Sequence, residues 1–199
     1  SPWLAAKLLR PGRADILWRI GEWRAWLAFE RAVEEVPAYR ELVHEHRGEV
    51  TVRRWRPDFS RVPVTTKENY VRRFPVEARC VGGRLPERGV VIDESSGTSG
   101  EPSNWVRGPE ERQDTRKLLH LGVHRLLGDT PYFVINAFAL GPWATGMNLS
   151  MSIVDVAVLK STGPDVAKIE NTLRLFGPRY RYLICGYPPF LKTLVDSAA

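Results

Sequence analysis

Cysteine is scarce in this chain, which has only Cys80 and Cys185 among its 199 residues. Two cysteines so far apart, in apolar or loop contexts, do not make a disulfide framework, and they suit a reducing compartment. Histidine is also rare, with four residues. His120 and His124 lie four apart, but a zinc site needs a third and usually a fourth ligand. We therefore expect no metal site built from side chains.

Several motifs of well-known chemistry are absent from the sequence. It has no Gly-x-Ser-x-Gly elbow of a serine hydrolase, and no Gly-Lys-Ser/Thr that would complete a Walker A loop. Zinc-finger spacing, an aromatic-glycine RNA signature and a Lys/Arg block are missing too, so nothing favours nucleic acid as a partner. No charged-apolar-small signal pattern opens the sequence. We expect a cytoplasmic protein.

The long uncharged stretch from Tyr132 to Val154 is not a good membrane span. A spanning helix needs about 20 consecutive apolar residues, whereas Gly141-Pro142 and the residues Asn136, Gly146 and Asn148 break this stretch. Because proline and glycine interrupt helices, we expect two short buried elements here, in a soluble protein with no membrane span.

Positive charge is present in excess. The formal net charge is +6, with 43% hydrophobic and 26% charged residues. This is a globular composition, long enough for one domain with a real core and marginally for two. The excess lies largely in the arginines between Arg53 and Arg88. Such a balance suits anionic ligands, including nucleotides and coenzyme A.

Residues 1–47 are predicted to form a helical N-terminal segment. Ile16, Ile20, Trp23 and Leu27 recur at i, i+4, i+7 and i+11, which places them on one face of a helix. Two uses of such a helix remain open. It can pack on a neighbouring domain, or lie on a membrane surface, although nearby glutamates dilute the positive charge that anionic lipid needs.

Residues 48–89 are predicted to be an irregular connection, rich in proline and arginine and with little periodicity. Within it, Val62–Glu68 is predicted to be extended and to end in a helix cap. Thr65 or Thr66 would be the N-cap of a short helix through Arg72.

Residues 90–199 alternate between predicted strands and helices. After an apolar run at Val90–Ile92, helices are predicted at 109–127, 144–152, 164–176 and 188–198, and strands at 132–135, 154–159 and 181–185. Three β-α units with apolar strands indicate a mostly parallel sheet flanked by helices. We therefore predict the α/β fold class, with a helical N-terminal region followed by an α/β nucleotide-binding portion.

A loop dense in small hydroxyl residues follows the apolar run. Four hydroxyl residues alternate with two glycines in the sequence Ser95, Ser96, Gly97, Thr98, Ser99 and Gly100. Glycines let the backbone turn several N–H groups toward one point, and such a nest binds anions. Composition alone also fits a flexible linker. We predict a phosphate-binding loop between two β-strands.

The order of these residues resembles a known signature. Ser95-Ser96-Gly97-Thr98-Ser99-Gly100-Glu101-Pro102 is similar to the Ser/Thr-Ser-Gly-Thr-Thr-Gly-x-Pro loop of the adenylate-forming (AMP-binding, acyl-CoA synthetase) superfamily. Upstream, Val62-Pro63-Val64-Thr65-Thr66-Lys67-Glu68-Asn69-Tyr70 and Arg73-Phe74-Pro75 resemble the Leu-Pro-x-Thr-Thr-Lys-Glu-x-Leu … Tyr-Pro segment of phenylacetate–CoA ligases. Two departures concern charge: Ser103 stands where most superfamily members have lysine, and Glu101 replaces a frequent lysine.

The resemblance implies a function and a site. Residues Ser95 to Gly100 would hold the phosphates of ATP, with Mg²⁺, and coenzyme A would be the acceptor of the activated acid. Phe138, Trp143, Gly186 and Tyr187 would border the pocket for the acyl or aryl group of a small carboxylic acid.

The resemblance covers roughly residues 35–199, the first part of a ligase more than twice this long. It implies an incomplete part of the large domain of the adenylate-forming enzymes, an N-terminal fragment that does not by itself exchange pyrophosphate into ATP. Alternatives are an adenylating enzyme of the acyl-protein synthetase type and a non-catalytic binding module that retains part of the fold. The identity of the acid, the choice between coenzyme A and a protein thiol, and assembly, for example as a homodimer, stay open.

Overall fold

The computed structural model describes Gly12, residues 14–95 and residues 102–198. The chain divides into two compact units. The first contains the residues up to Val90 together with Ser103–Val106, and the second contains Val91–Pro102 and Arg107–Ala199. Within the described residues, no helix is long and apolar enough to cross a membrane.

Two helices begin the first unit, α1 (Ala14–Glu35) and α2 (Pro37–Glu45). Proline at the first position of α2 suits a helix start, because the amide it lacks has no partner within the helix there. The helix α2 buries Ala38, Leu42 and Val43. Edge-to-face aromatic contacts extend this core through Phe29, Tyr39, Tyr70 and Phe74.

A short antiparallel hairpin of β1 (Thr51–Arg53) and β2 (Arg56–Asp58) follows, which the sequence did not predict. Its turn residues Arg54 and Trp55 both have positive φ angles, which are uncommon for residues with a Cβ.

The short helix predicted after Thr66 is confirmed as a single π-helical turn, Lys67–Val71. Thr66 Oγ1 accepts a hydrogen bond from the Asn69 amide at 3.1 Å, and Asn69 Oδ1 accepts one from the Thr66 amide at 2.7 Å. This reciprocal capping box satisfies two amides at the start of the helix.

The second unit contains most of the regular structure. Its elements, with β4 lying at the boundary of the two units, are β3 (Val91–Glu94), β4 (Asn104–Arg107), α3 (Pro109–Leu127), β5 (Phe133–Asn136), α4 (Ala144–Ile153), β6 (Val158–Ser161), α5 (Val166–Phe176), β7 (Tyr182–Cys185) and α6 (Pro188–Ala198). The predicted helices and strands are present. One boundary was wrong: the strand predicted from Val154 begins at Val158, because Val156 and Ala157 instead donate hydrogen bonds to the carbonyl of Ile153 and close the end of α4.

Strands β6, β5 and β7 form a parallel sheet in that order, with Phe133 opposite Val158 and Tyr182. One face packs Phe133 and Ile135 against Ile169 of α5 and Leu194 of α6. Successive strand residues point to opposite faces, and on the other face Asn136 bonds to α4. The second unit is therefore mixed α/β, with a three-stranded parallel sheet flanked by helices.

Candidate functional site

The sheet topology defines a crevice between β5 and β7. The chain leaves the central strand β5 for β6 on one side and then crosses to β7 on the other side. In open α/β sheets, ligands bind outside the carboxyl ends of the strands where the strand order reverses in this way. A cavity of about 510 Å³ lies there, and its walls are predominantly apolar. Its lining includes Phe138, Asn148, Leu149, Cys185, Gly186 and Leu191.

Asn136 holds the chain that leaves β5. This fully buried side chain donates from Nδ2 to the carbonyl of Gly146 and to Ser150 Oγ, both at 2.8 Å. Its Oδ1 accepts the amide hydrogen of Phe138 at 3.1 Å. Because buried polar groups are costly unless they are bonded, this network fixes the turn that carries Phe138 to the cavity. In the sequence, Asn136 appeared only as an interruption of an apolar run.

Two glycines allow close backbone contacts at this edge of the sheet. A Cβ on Gly146 would overlap the carbonyl oxygen of Ala139 and lie 3.1 Å from the carbonyl carbon. A Cβ on Gly186 would lie 3.1 Å from Leu191 Cδ2 and 3.2 Å from the Cβ of Ala137. Gly146 therefore tolerates only a hydrogen in the present packing, whereas a Cβ on Gly186 would require its neighbours to shift by a few tenths of an ångström.

Asp93, just before the hydroxyl-rich loop, has a buried carboxylate. Arg107 donates to it from Nε, and Asn148 Nδ2 lies 3.3 Å from the same oxygen. Arg107 also pairs with Glu111. Partial burial lowers the pKa of Arg107, but its contacts with Asp93 and Glu111 outweigh that effect and raise it. Asn148 thus joins this ion pair to the cavity wall, a connection that the sequence pattern did not indicate.

The predicted phosphate loop lies mostly outside the described residues, which include Ser95 but not Ser96, Gly97, Thr98, Ser99 or Gly100. A strand precedes it and a strand follows it, β3 and β4, and both belong to one two-stranded sheet. The amide of Glu94 donates to the carbonyl of Pro142 at 2.9 Å, and Glu94 pairs with Trp143 in an isolated parallel bridge. The loop therefore begins beside the segment that follows Phe138.

The four predicted pocket residues occupy different places. Phe138 and Gly186 line the cavity. Trp143 lies beside Glu94 at the start of the loop, and Tyr187 is 65% exposed just before α6. Neither Trp143 nor Tyr187 is among the described residues that form the cavity wall.

The two histidines of α3 make contacts within the second unit. His120 Nε2 lies 2.6 Å from the carbonyl oxygen of Ser152, which joins α3 to α4 behind the cavity, and His124 Nδ1 lies 2.6 Å from Asp129. Burial raises the pKa of the Cys185 thiol. In the described part of the chain, no group of three or more His, Cys, Asp or Glu could hold a metal ion.

Comparison with known proteins found no matching family model and no matching curated protein. We therefore infer the function from the residues of the loop and the cavity.

Proposed function

We propose that this chain carries the phosphate-binding loop and the acid-binding cavity of an ATP-dependent carboxylate-activating enzyme. The observation that carries the proposal is the bond from Glu94 to Pro142. It joins Glu94, the residue before Ser95, to Pro142, which lies in the segment after Phe138 of the cavity wall. The loop therefore begins next to the chain segment that leaves the cavity. The order of hydroxyls and glycines from Ser95 to Gly100 supports phosphate as the ligand of the loop.

The proposed reaction joins the two ligands. A carboxylate oxygen of the acid attacks the α-phosphorus of ATP, a new P–O bond forms, and the bond to the departing pyrophosphate breaks. The loop's hydroxyls and amides would donate hydrogen bonds to phosphate oxygens as charge moves onto them. Mg²⁺ commonly binds through substrate phosphates and few carboxylates. It would therefore arrive with ATP and neutralise phosphate charge. The thiol sulfur of coenzyme A would then attack the acyl carbon, a thioester bond would form, and the acyl–phosphate bond would break with AMP as the leaving group.

The cavity supports an apolar acid as the second substrate. Small-molecule sites are commonly about 300–1,000 Å³, mostly apolar, with a few polar groups that orient the ligand. At about 510 Å³ the cavity falls in this range. Phe138 and Leu191 supply apolar wall, and Asn148, held by Asp93, supplies a polar group.

Nucleotide binding by the purified chain tests the proposal. Binding of MgATP is measured by calorimetry for the wild type and for Thr98→Ala with Ser99→Ala. Each lost hydrogen bond is worth about 0.5–1.5 kcal/mol, so the double variant is expected to bind roughly tenfold more weakly. The matched control is Thr193→Ala with Ser197→Ala, two exposed hydroxyls whose bonds stay within α6.

Unchanged affinity in the loop variant would remove the phosphate role from these residues. Binding of a small aromatic acid without any binding of MgATP would indicate a non-catalytic module. If the loop variant lost thermal stability in proportion to its loss of MgATP affinity, and the control variant lost neither, the loop would have a structural role instead.

A further inference from the structure

Helix α1 has apolar residues on two sides, whose centres lie roughly 120° apart at about 100° per residue, and Trp23 contacts Trp26 between them with ring centroids 5.1 Å apart. Trp26, Phe29 and Val33 are half-buried on the side that packs within the first unit. The other side carries the residues that we name the apolar stripe: Ile16, Ile20, Trp23 and Leu27. Each of the four is between 37% and 66% exposed. Exposed apolar residues that follow a helical period across about three turns are characteristic of a binding surface rather than of scattered surface residues.

Basic side chains flank the apolar stripe. At about 100° per residue, Arg19 lies to one side of the stripe and Arg24 to the other, and both are exposed. Glu22 lies away from the stripe, where Arg56 holds it with a bond of 2.6 Å and Trp18 donates to it at 3.0 Å. The negative charge of Glu22 is therefore neutralised by Arg56 within the first unit.

The net positive charge of the sequence is likewise confined to the N-terminal part that contains α1. Residues 1–90 contain 18 lysines and arginines against 12 acidic residues, whereas residues 91–199 contain 11 of each. The entire net charge of +6 therefore belongs to the part of the chain that carries the apolar stripe.

We propose that the apolar stripe binds the surface of an anionic lipid bilayer, with α1 lying in the plane of the interface. Apolar side chains enter the boundary between headgroups and acyl chains, and tryptophan favours this depth. Arg19 and Arg24 extend from the edges of the stripe to lipid phosphates, as long basic side chains do at interfaces. The proposal is independent of the function proposed for the cavity.

A protein partner fits the same surface less well. Four partly exposed side chains present a few hundred Å², below the roughly 800 Å² per partner of a stable protein complex. A second copy of the chain would bring Arg19 and Arg24 toward their own counterparts, and juxtaposed like charges disfavour association. Binding to a bilayer does not require a contact area of this size. The burial of each apolar side chain and the attraction of each basic residue to anionic lipid contribute separately to the binding free energy.

The contact has a defined end. Glu30 and Glu34 follow Leu27 on the same side of the helix, and Glu30 accepts a hydrogen bond from Trp26 Nε1 at 2.9 Å. Carboxylates are repelled by anionic headgroups, so the membrane contact covers α1 from Ile16 to Leu27.

Co-sedimentation with lipid vesicles tests the proposal on the full chain. Vesicles of phosphatidylcholine with about 30% phosphatidylserine are compared with pure phosphatidylcholine. The chain is expected to bind the anionic vesicles at least tenfold more tightly, and raising the salt to about 0.5 M should weaken that binding. Trp23→Ser with Leu27→Ser should reduce binding at least tenfold. Arg19→Gln with Arg24→Gln should reduce binding to the anionic vesicles and leave binding to pure phosphatidylcholine vesicles unchanged.

Matched controls lie in the second unit. Leu118→Ser with Leu126→Ser removes two exposed leucines from α3, and Arg125→Gln with Arg174→Gln removes two exposed arginines. Both should bind as the wild type does. Absence of vesicle binding, equal binding to neutral vesicles, or equal losses in the stripe variants and the controls would overturn the proposal. A dimer in solution that Trp23→Ser with Leu27→Ser dissociates, without vesicle binding, would assign the stripe to a second copy instead.

Discussion

At Gly146 the first turn of α4 lies against the carbonyl group of Ala139, with no space for a side chain. The same glycine accepts a hydrogen bond from Asn136 through its carbonyl. One residue thus brings the helix close to the turn after β5 and helps to bind the amide that directs that turn. The shape of the cavity near Phe138 depends on this close contact.

Replacing Gly146 by alanine should therefore lower the stability of the protein, whereas the same replacement at another helical glycine should raise it. Gly146→Ala forces the backbone of α4 away from Ala139, and such overpacking costs about 1–3 kcal/mol. Gly122→Ala in α3 is the control, since its Cβ would meet nothing within 4 Å. Alanine is favoured over glycine in helices by about 0.8–1 kcal/mol, so this variant should be stabilised. Urea unfolding measures both, and a stable Gly146→Ala protein would contradict the packing described.

Among the ion pairs of the second unit in the described residues, the one between Asp93 and Arg107 has the least exposed carboxylate. It joins β3 to the end of β4, and through Glu111 and Asn148 it reaches α3 and α4. The side chain of Asp93 is 2% exposed and that of Arg107 is 31% exposed. The stability of the unit should therefore respond strongly when one partner is lost.

Removal of Arg107 should be strongly destabilising. Arg107→Ala leaves a buried carboxylate without its positive partner, which typically costs about 3–5 kcal/mol. The control is Arg116→Ala, because Arg116 and Asp155 pair at 2.9 Å with both side chains about half exposed, and exposed pairs are worth about 1 kcal/mol or less. The double variant Asp93→Asn with Arg107→Met should lose less than Arg107→Ala, since it buries no charge. Equal losses for Arg107→Ala and Arg116→Ala in chemical unfolding would show that the pair is not buried.

The cap of α5 gives the stability of that helix a pH dependence. Asp165 accepts a hydrogen bond from the Lys168 amide at 3.0 Å. That bond, followed by the Lys168 ammonium group, holds the pKa of Asp165 below its ordinary value. A depressed pKa means that the cap stabilises the fold fully above the unfolded pKa of about 3.9, and that this contribution is lost as the pH falls through the lower, folded pKa.

Thermal unfolding between neutral and strongly acidic pH tests the cap. Asp165→Ala should lower the midpoint at neutral pH, and the difference from the wild type should shrink in acid. Asp165→Asn caps without titrating, so it should stay close to the wild type at neutral pH. A difference between Asp165→Ala and the wild type that is constant with pH would rule out the ionised cap.

On the scale of the whole molecule, the two units carry different properties. The first holds the apolar stripe and the whole net charge, and the second holds the parallel sheet, the cavity and the buried ion pair. The residues named above as cavity lining lie within 138–191, and the core of the sheet is built from residues 133–194. The second unit therefore has the components of an independently folding domain.

Residues 91–199 expressed alone should therefore fold cooperatively. Cys185 is the single cysteine of that fragment, and its raised pKa leaves little thiolate at neutral pH. Alkylation of Cys185 should be at least tenfold slower in buffer than in urea, both in the fragment and in the full chain. Equal rates with and without urea, or loss of dispersed amide resonances, would show that the unit does not fold alone.

The sequence predicted much of the second unit because local patterns decide where helices and strands form. Glycine after its end predicted where α5 stops, although the predicted start at Pro164 lies before the N-cap Asp165, and β5 followed from an apolar run. The N-cap of the short helix was predicted as Thr65 or Thr66, and it is Thr66. The hairpin β1–β2 was missed, since the strands are three residues each and the turn residues Arg54 and Trp55 are not those that favour positive φ.

By itself, the sequence determined the α/β alternation, the position of the hydroxyl-rich loop between two strands, and the period of the apolar stripe. Each of these depends on neighbours a few residues apart. Only the tertiary structure decided that Phe138 and Gly186 share a cavity while Tyr187 faces solvent. It also decided that Asp93 is buried against Arg107 and Asn148. The neutralisation of Glu22 by Arg56 is likewise a tertiary contact. These contacts join residues that are 14 to 55 positions apart. Strand order and helix packing bring them together, and no local pattern encodes either.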